Sequence, residues 1–343
     1  MIGFSNMFKA EIYKLAKLKT LLKILIAIVI VFVVSTLLYL ALVNAVGGLD
    51  MALVNPEEEI TPETVEKAEL ESREYEKIFE AENASVKMVD TERYTLKSKA
   101  TLFRYMYDNG MTFDSYSEFG SISSSSANSY IIFIMGIMST VMLVFASVSI
   151  IKSIAGERAN GTLKMQLLRP VSKEAMLAAK FTAVYVVSLG IYIFTFLLTC
   201  IVGICAFNVD AKQIIAVIDA THVAVMSPAA MIIIYLVYYA TTIFAYTALG
   251  TCLSCLLKKG EALPIVITMI IAFLGDGIER MLGYAFIGYA GFAINISWLN
   301  ALTRQGPVLS YMGLYSMIPI ACVWVFGMLA ISWFTFRKAE IHS

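Results

Sequence analysis

The stretch IKSIAGERANGTLKMQLLRPVS, residues 151–172, decides how the rest of the chain is read. It lies between two long apolar runs, and six Lys and Arg residues fall between Lys152 and Lys180. A basic segment between two runs able to cross a bilayer is a cytoplasmic loop by the positive-inside rule. Asn160-Gly161 is a helix stop, with glycine able to take the left-handed conformation after the last turn. Thr162 then caps a short helix over residues 163–168, with Leu163 and Leu167 on one face and Lys164 and Arg169 in water. Pro170 ends it, because the residue before a proline is disfavoured in helix. Ser172 caps the helix that becomes the next span. A helix thus runs out of the membrane, turns sharply and presents a short transverse helix, a rigid lever with an exposed end.

The composition agrees with a polytopic membrane protein. Of 343 residues 59% are hydrophobic, where soluble domains run near 45–50%, and the mean hydropathy is +0.76. No polar stretch is long enough for an enzyme core of ordinary size. The five cysteines (Cys200, Cys205, Cys252, Cys255 and Cys322) all fall in apolar segments, so no disulfide framework is implied. The first apolar run is too long for a cleavable signal.

A spanning helix needs about 20 apolar residues. Six runs qualify: residues 21–46, 130–151, 176–207, 228–257, 262–283 and 310–336. Alternating from an inside start puts fifteen Lys and Arg in cytoplasmic segments and three in the short outside loops. Both termini are therefore expected in the cytoplasm of a plasma membrane. The polar stretch over residues 47–129 is too long for that rule and forms an external domain. It holds 17 acidic and 8 basic residues, a net charge of −9. A helical stripe of Val65, Ala68, Tyr75 and Phe79, and a second helix over 91–108, make it mostly helical. An acidic outside domain is able to recruit a cationic substrate, and is equally what a solvated face looks like.

Residues 1–20 read as an interfacial helix. Phe4, Phe8, Ile12, Leu15 and Leu18 recur at three- and four-residue steps, with Lys9, Lys14 and Lys17 on the other face, a pattern suited to membrane lipid. Residues 284–305 are apolar and aromatic but broken by Gly288, Gly291 and Asn295. As a seventh span they would put Arg337 and Lys338 outside, so a re-entrant segment fits better. The expected architecture is an all-α integral membrane protein with six transmembrane helices, an N-terminal elbow helix (1–20), a coupling loop and helix (152–175) and that re-entrant segment.

Glu157, Gly161-Thr162-Leu163 and Arg169-Pro170-Val171-Ser172 resemble the E…GTL…RPVS stretch of permeases of the type-2 ABC exporter class (ABC-2), and the topology resembles theirs over nearly the whole chain. The resemblance implies a permease subunit that works with a second permease chain, the same or different, and two copies of a cytoplasmic ABC ATPase. It implies that the elbow (Phe4, Phe8, Ile12, Leu15) and the coupling region (Glu157, Arg158, Gly161, Thr162, Leu163, Leu167, Arg169, Pro170) dock on that ATPase. The external domain is like that of variants among Firmicute exporters of peptides, antibiotics and ions, which points to a bacterial source. In that role Glu157 and Arg158 would make charge-assisted bonds to the partner, and Leu163 and Leu167 would enter an apolar groove on it. The chain has no GxxxxGK[ST], so ATP and Mg would be bound by the partner and no cofactor by this chain. No nucleic-acid partner is implied.

Asp276, Glu279 and Arg280 are the ionisable residues of the fifth span. Asp276 lies 14 residues after Ala262, roughly 21 Å along a helix, so the three sit near the outer interface. Asp276 and Arg280, at i and i+4, could pair as an outer gate or as a structural ion pair. Cys252 and Cys255 share a helix face, but without a second pair they read as buried helix residues. A nucleophile–base set or a histidine-rich metal set, which an intramembrane hydrolase needs, is missing from the sequence. A membrane sensor or a secondary transporter using the acidic external domain remains the alternative class.

Overall fold

A computed structural model of the chain describes residues 4–15, 17–46, 60–82, 91–112, 116–118, 126–163, 172–209, 212–257, 260–282, 291–302 and 313–338. Six of its helices are long and apolar enough to cross a membrane. They are α2 (Leu18–Val46), α5 (Ala127–Ile151), α6 (Lys173–Ala206), α7 (Pro228–Leu256), α8 (Ala262–Leu282) and α10 (Leu314–Lys338). Short α1 (Phe4–Leu15) precedes them, α3 (Pro62–Glu82) and α4 (Thr91–Asp108) form a hairpin between α2 and α5, and α9 (Phe292–Ile296) lies between α8 and α10.

The bundle is built around α5, the most deeply buried of the six, which packs on α2, α6 and α7. Apolar packing alone holds helices weakly in lipid, so close approach needs small residues. Gly250 of α7 is such a residue, since a Cβ there would stand 2.9 Å from the Ile150 methyl of α5. Gly203 of α6 lets Ile131 approach in the same way, with a Cβ 3.1 Å from its Cγ1. Three of the spans open on a serine N-cap, of which Ser172 is the one expected from the sequence. Ser126, Ser172 and Ser227 each accept the N–H of the residue three positions on, opening α5, α6 and α7.

The helix of α5 continues past Ile151. A π-helical turn over Lys152–Gly156 and one further turn, Glu157–Ala159, carry it to Asn160. Gly161 then takes φ +72°, the left-handed stop expected of it. A Cβ at Gly161 would meet nothing within 4 Å, so the backbone conformation alone requires the glycine. The Thr162 hydroxyl closes the end by donating to the Glu157 carbonyl (3.1 Å).

The architecture is mostly helical as expected, with one small sheet added to it. A three-stranded sheet caps the α3–α4 side in the order β1 (Tyr116–Glu118), β2 (Gln213–Ile218), β3 (His222–Met226). β1 runs parallel to β2, and β2 and β3 form an antiparallel hairpin from what the sequence presents as a plain loop between the third and fourth spans. The Thr221 N–H returns to the Ile218 carbonyl (3.2 Å). The two residues between them, Asp219 and Ala220, have φ 54° and 55°, the signature of a type I′ hairpin turn. Left-handed backbone costs about 1 kcal/mol or more per non-glycine residue, so this turn persists only because its surroundings hold it. Ile215 and Val217 of β2 pack on Leu102 and Met106 of α4, while Val65 and Ala68 of α3 pack on Ala100 and Phe103.

Candidate functional site

At the opposite end of the bundle from the sheet, α1, the extension of α5 and the first turns of α6 meet in a polar cluster. Lys180 of α6 has no exposed surface. Its Nζ donates to Glu11 Oε1 of α1 (2.9 Å), to Glu157 Oε2 of the α5 extension (2.8 Å) and to Ser153 Oγ of the π turn (3.2 Å). These three partners use all three ammonium donors. Lys14 completes the cluster, bonding Glu157 Oε1 and, at 3.4 Å, Glu11. Burial by itself would lower the Lys14 pKa. Its bonds to Glu157 and Glu11 outweigh that and hold it above the ordinary lysine value of 10.5.

The geometry follows from local structure. On α1, Glu11 lies on the face with Met7, Phe8, Ile12 and Leu15, turned toward the bundle, while Lys9 and Tyr13 stay exposed. Met7 and Leu15 pack on the core cluster that holds Ile154, Met176 and Leu177. A π turn inserts one extra residue into the helical cycle and rotates everything after it. Ser153 lies within that turn and Glu157 directly after it, and both reach Lys180. Two carboxylates and two ammonium groups make the cluster neutral as a set, the condition under which charge is tolerated out of water.

Arg158 points the other way, toward α7. Its Nη1 donates to the Ser254 carbonyl (3.0 Å) and, more weakly, to the Leu257 carbonyl (3.5 Å), two of the unpaired acceptors at that helix's C-terminus. Gly156 faces the α7–α8 turn, where a Cβ would stand 2.6 Å from Glu261 Oε2. One turn of helix therefore fastens α1, α6 and α7 and abuts the turn that leads into α8.

Several sequence-based site residues sit elsewhere than expected. Glu157 and Arg158 have their partners inside the chain. Leu163 is 5% exposed and belongs to the main core. Leu167, Arg169 and Pro170 lie outside the described residues. Along α1, Phe4 and Phe8 stack with ring centroids 6.0 Å apart, and Phe8, Ile12 and Leu15 are half-buried against the protein. In α8, Glu279 accepts the N–H groups of Ala293 (3.3 Å) and Ile294 (2.9 Å), capping α9. The Arg280 side chain is outside the described set, so its pairing with Asp276 is too. Asn295, which fits a glycosylation acceptor by pattern, is fully buried. Cys252 and Cys255 are buried as expected, and no group of three or more His, Cys, Asp or Glu able to hold a metal ion occurs among the described residues.

Sequence reasoning missed Lys180 and Glu11. The signal was present: Lys180 stands four residues into an otherwise apolar run, and Glu11 is the one acid on a basic amphipathic helix.

A family model, described as ABC-2 family transporter protein, matches residues 6–341. The chain belongs to the ABC-2 transporter family. Membership makes it a membrane component of transport, a permease, and implies an ABC ATPase as its general kind of partner. No curated protein and no solved structure matched the chain.

Proposed function

We propose that the chain is the permease subunit of an ATP-driven exporter, pairing with a second permease chain and two ATPase copies on the cytoplasmic face of a bacterial plasma membrane. In this reading both termini are cytoplasmic, and α3, α4 and the sheet are external. The re-entrant segment expected over 284–305 lies partly outside the described residues, which hold α9 and a 3-10 turn over Trp298–Leu302, and α1 lies in the interface as the elbow. The observation that carries the reading is Lys180, fully buried and bonded at once to α1, the π turn and Glu157. A push on the 157–170 region cannot be absorbed by local bending. It moves α1 and the bases of α5, α6 and α7 as one block, because Arg158 ties the same turn to α7. Tilting these helices switches a path at the permease–permease interface, and the ATPase supplies ATP and Mg chemistry. Asp276 and Glu279 sit near the outer mouth of that path. The cargo is a peptide, an antibiotic, a lipid-like molecule or an ion.

Co-purification tests the reading. The chain expressed with its native membrane partners should bring down an ATP-binding-cassette subunit in stoichiometric amount. Transport by the chain with no such subunit present would favour a secondary transporter and overturn it.

A further inference from the structure

The sheet side holds a second junction that the coupling block does not explain. Asp219 lies at the tip of the β2–β3 hairpin, and its Oδ1 accepts the Leu314 N–H at 3.0 Å, at the first residue of α10. A Cβ at Gly313 would stand 2.7 Å from Asp219 Oδ2, so the start of α10 is pressed directly on the carboxylate. The next residue of the turn, Ala220, is held from the other side. Thr101 of α4 donates its hydroxyl to the Ala220 carbonyl (2.8 Å), sharing it with the Lys97 carbonyl (2.9 Å). Tyr94, about two turns earlier on α4 and buried, brings its hydroxyl beside the same two residues.

We infer that Asp219 is a positioning residue that latches the α3–α4 domain to the start of the sixth span. Two adjacent non-glycine residues in left-handed backbone are a conformation the chain does not adopt freely. It is held here by α4 on one side and α10 on the other. The turn is therefore stiff, and a displacement of α4 reaches Leu314 through two hydrogen bonds and two peptide units. A helix cap also sets where α10 begins: Gly313 is followed by Ser316 and Met317 N–H groups both bonded to the Gly313 carbonyl, so the first turn winds from the point that Asp219 holds. Whatever binds or shifts the acidic domain is read by the sixth span. The inference is independent of the cargo and of the ATPase reading.

Hydrogen exchange on the full chain in nanodiscs tests it, followed in peptides covering residues 313–320 and, as a control, in the core of α5. Thr101 hydrogen-bonds the hairpin turn rather than α10, yet Thr101→Ala should speed exchange at the start of α10 by about fivefold, the protection one hydrogen bond of ordinary net strength confers. Thr101→Ser, which keeps the hydroxyl, should restore the native rate. Asp219→Gly keeps the left-handed turn but loses the cap, and should speed exchange both at 313–320 and in α4. Asp219→Asn, which tolerates the turn and keeps an acceptor oxygen, should behave as the native chain. If Thr101→Ala changes nothing at 313–320 while Asp219→Gly does, the carboxylate is a local cap and the latch is wrong. If α5 loosens to the same extent as α10 in both loss variants, the effect is general destabilisation and the latch is equally wrong.

Discussion

Lys180 and Glu157 lie 2.8 Å apart, 23 residues apart in sequence, and the ammonium has no contact with solvent. A lysine without solvent persists because Glu11 and Ser153 take its remaining donors. The pair is thus a structural joint whose loss is felt in three elements at once.

Replacing Lys180 by methionine should cost about 3 kcal/mol, the penalty of leaving carboxylates half-buried without their partner. Thermal unfolding followed by size-exclusion in detergent would register a fall in Tm. Lys180→Arg should cost less, since the charge survives while a planar fork replaces three rotatable donors.

The cluster should withstand neutral and mildly alkaline pH. The Lys14 pKa is raised in the folded chain above 10.5. Its contribution is therefore complete below that value and lost as pH rises through the folded pKa. Exchange protection in α1 should stay flat from pH 6 to about pH 10 and fall beyond it. A fall near pH 7 would contradict the assignment.

The α3–α4 hairpin should respond to acid instead. Glu76 accepts from Arg93 at 2.6 Å, joining the two helices, and that bond holds its pKa below the ordinary 4.5. The contribution is present above 4.5 and lost as pH falls through the depressed value. Limited proteolysis of the intact protein should show α3 loosening below about pH 4, with Glu76→Gln already loosened at pH 7.

Gly161→Val should be damaging although it meets no neighbour. Its φ of +72° is a conformation that β-branched residues avoid, at about 1–2 kcal/mol. Gly161→Asn should be tolerated. The check is surface expression together with ATPase stimulation for both variants. Equal behaviour of valine and asparagine would show that the left-handed stop is dispensable.

The spans, their order and the stop at Gly161 were legible in the sequence because each rests on a local signal: a long apolar run, a serine cap, a glycine after the last turn. α1 was legible from its phenylalanine spacing, although its half-buried face turned toward α6 could not be told from a face turned toward lipid. What escaped was long-range. Gln213–Ile218 is a short apolar run without alternation, and it becomes a strand only because Tyr116–Glu118, about a hundred residues earlier, lies beside it and α4 covers it. Lys180 counted as one more loop charge until Glu11, 169 residues away, was placed on it. Leu163 read as the exposed side of a lever because the turn at Gly161 is visible in sequence while the direction it sends the chain is not. The π turn over Lys152–Gly156 has no sequence signature, yet it sets where Glu157 points.

A double-mutant cycle on the assembled transporter tests the central claim most directly. Glu157→Gln, Lys180→Gln and the double variant would be purified with the ATPase subunit, and permease-stimulated ATP hydrolysis measured for each. Each single variant should retain the bound ATPase and lose most of the stimulation, and the double should be no worse than the weaker single, because both remove one joint. Native stimulation in both single variants would contradict the account.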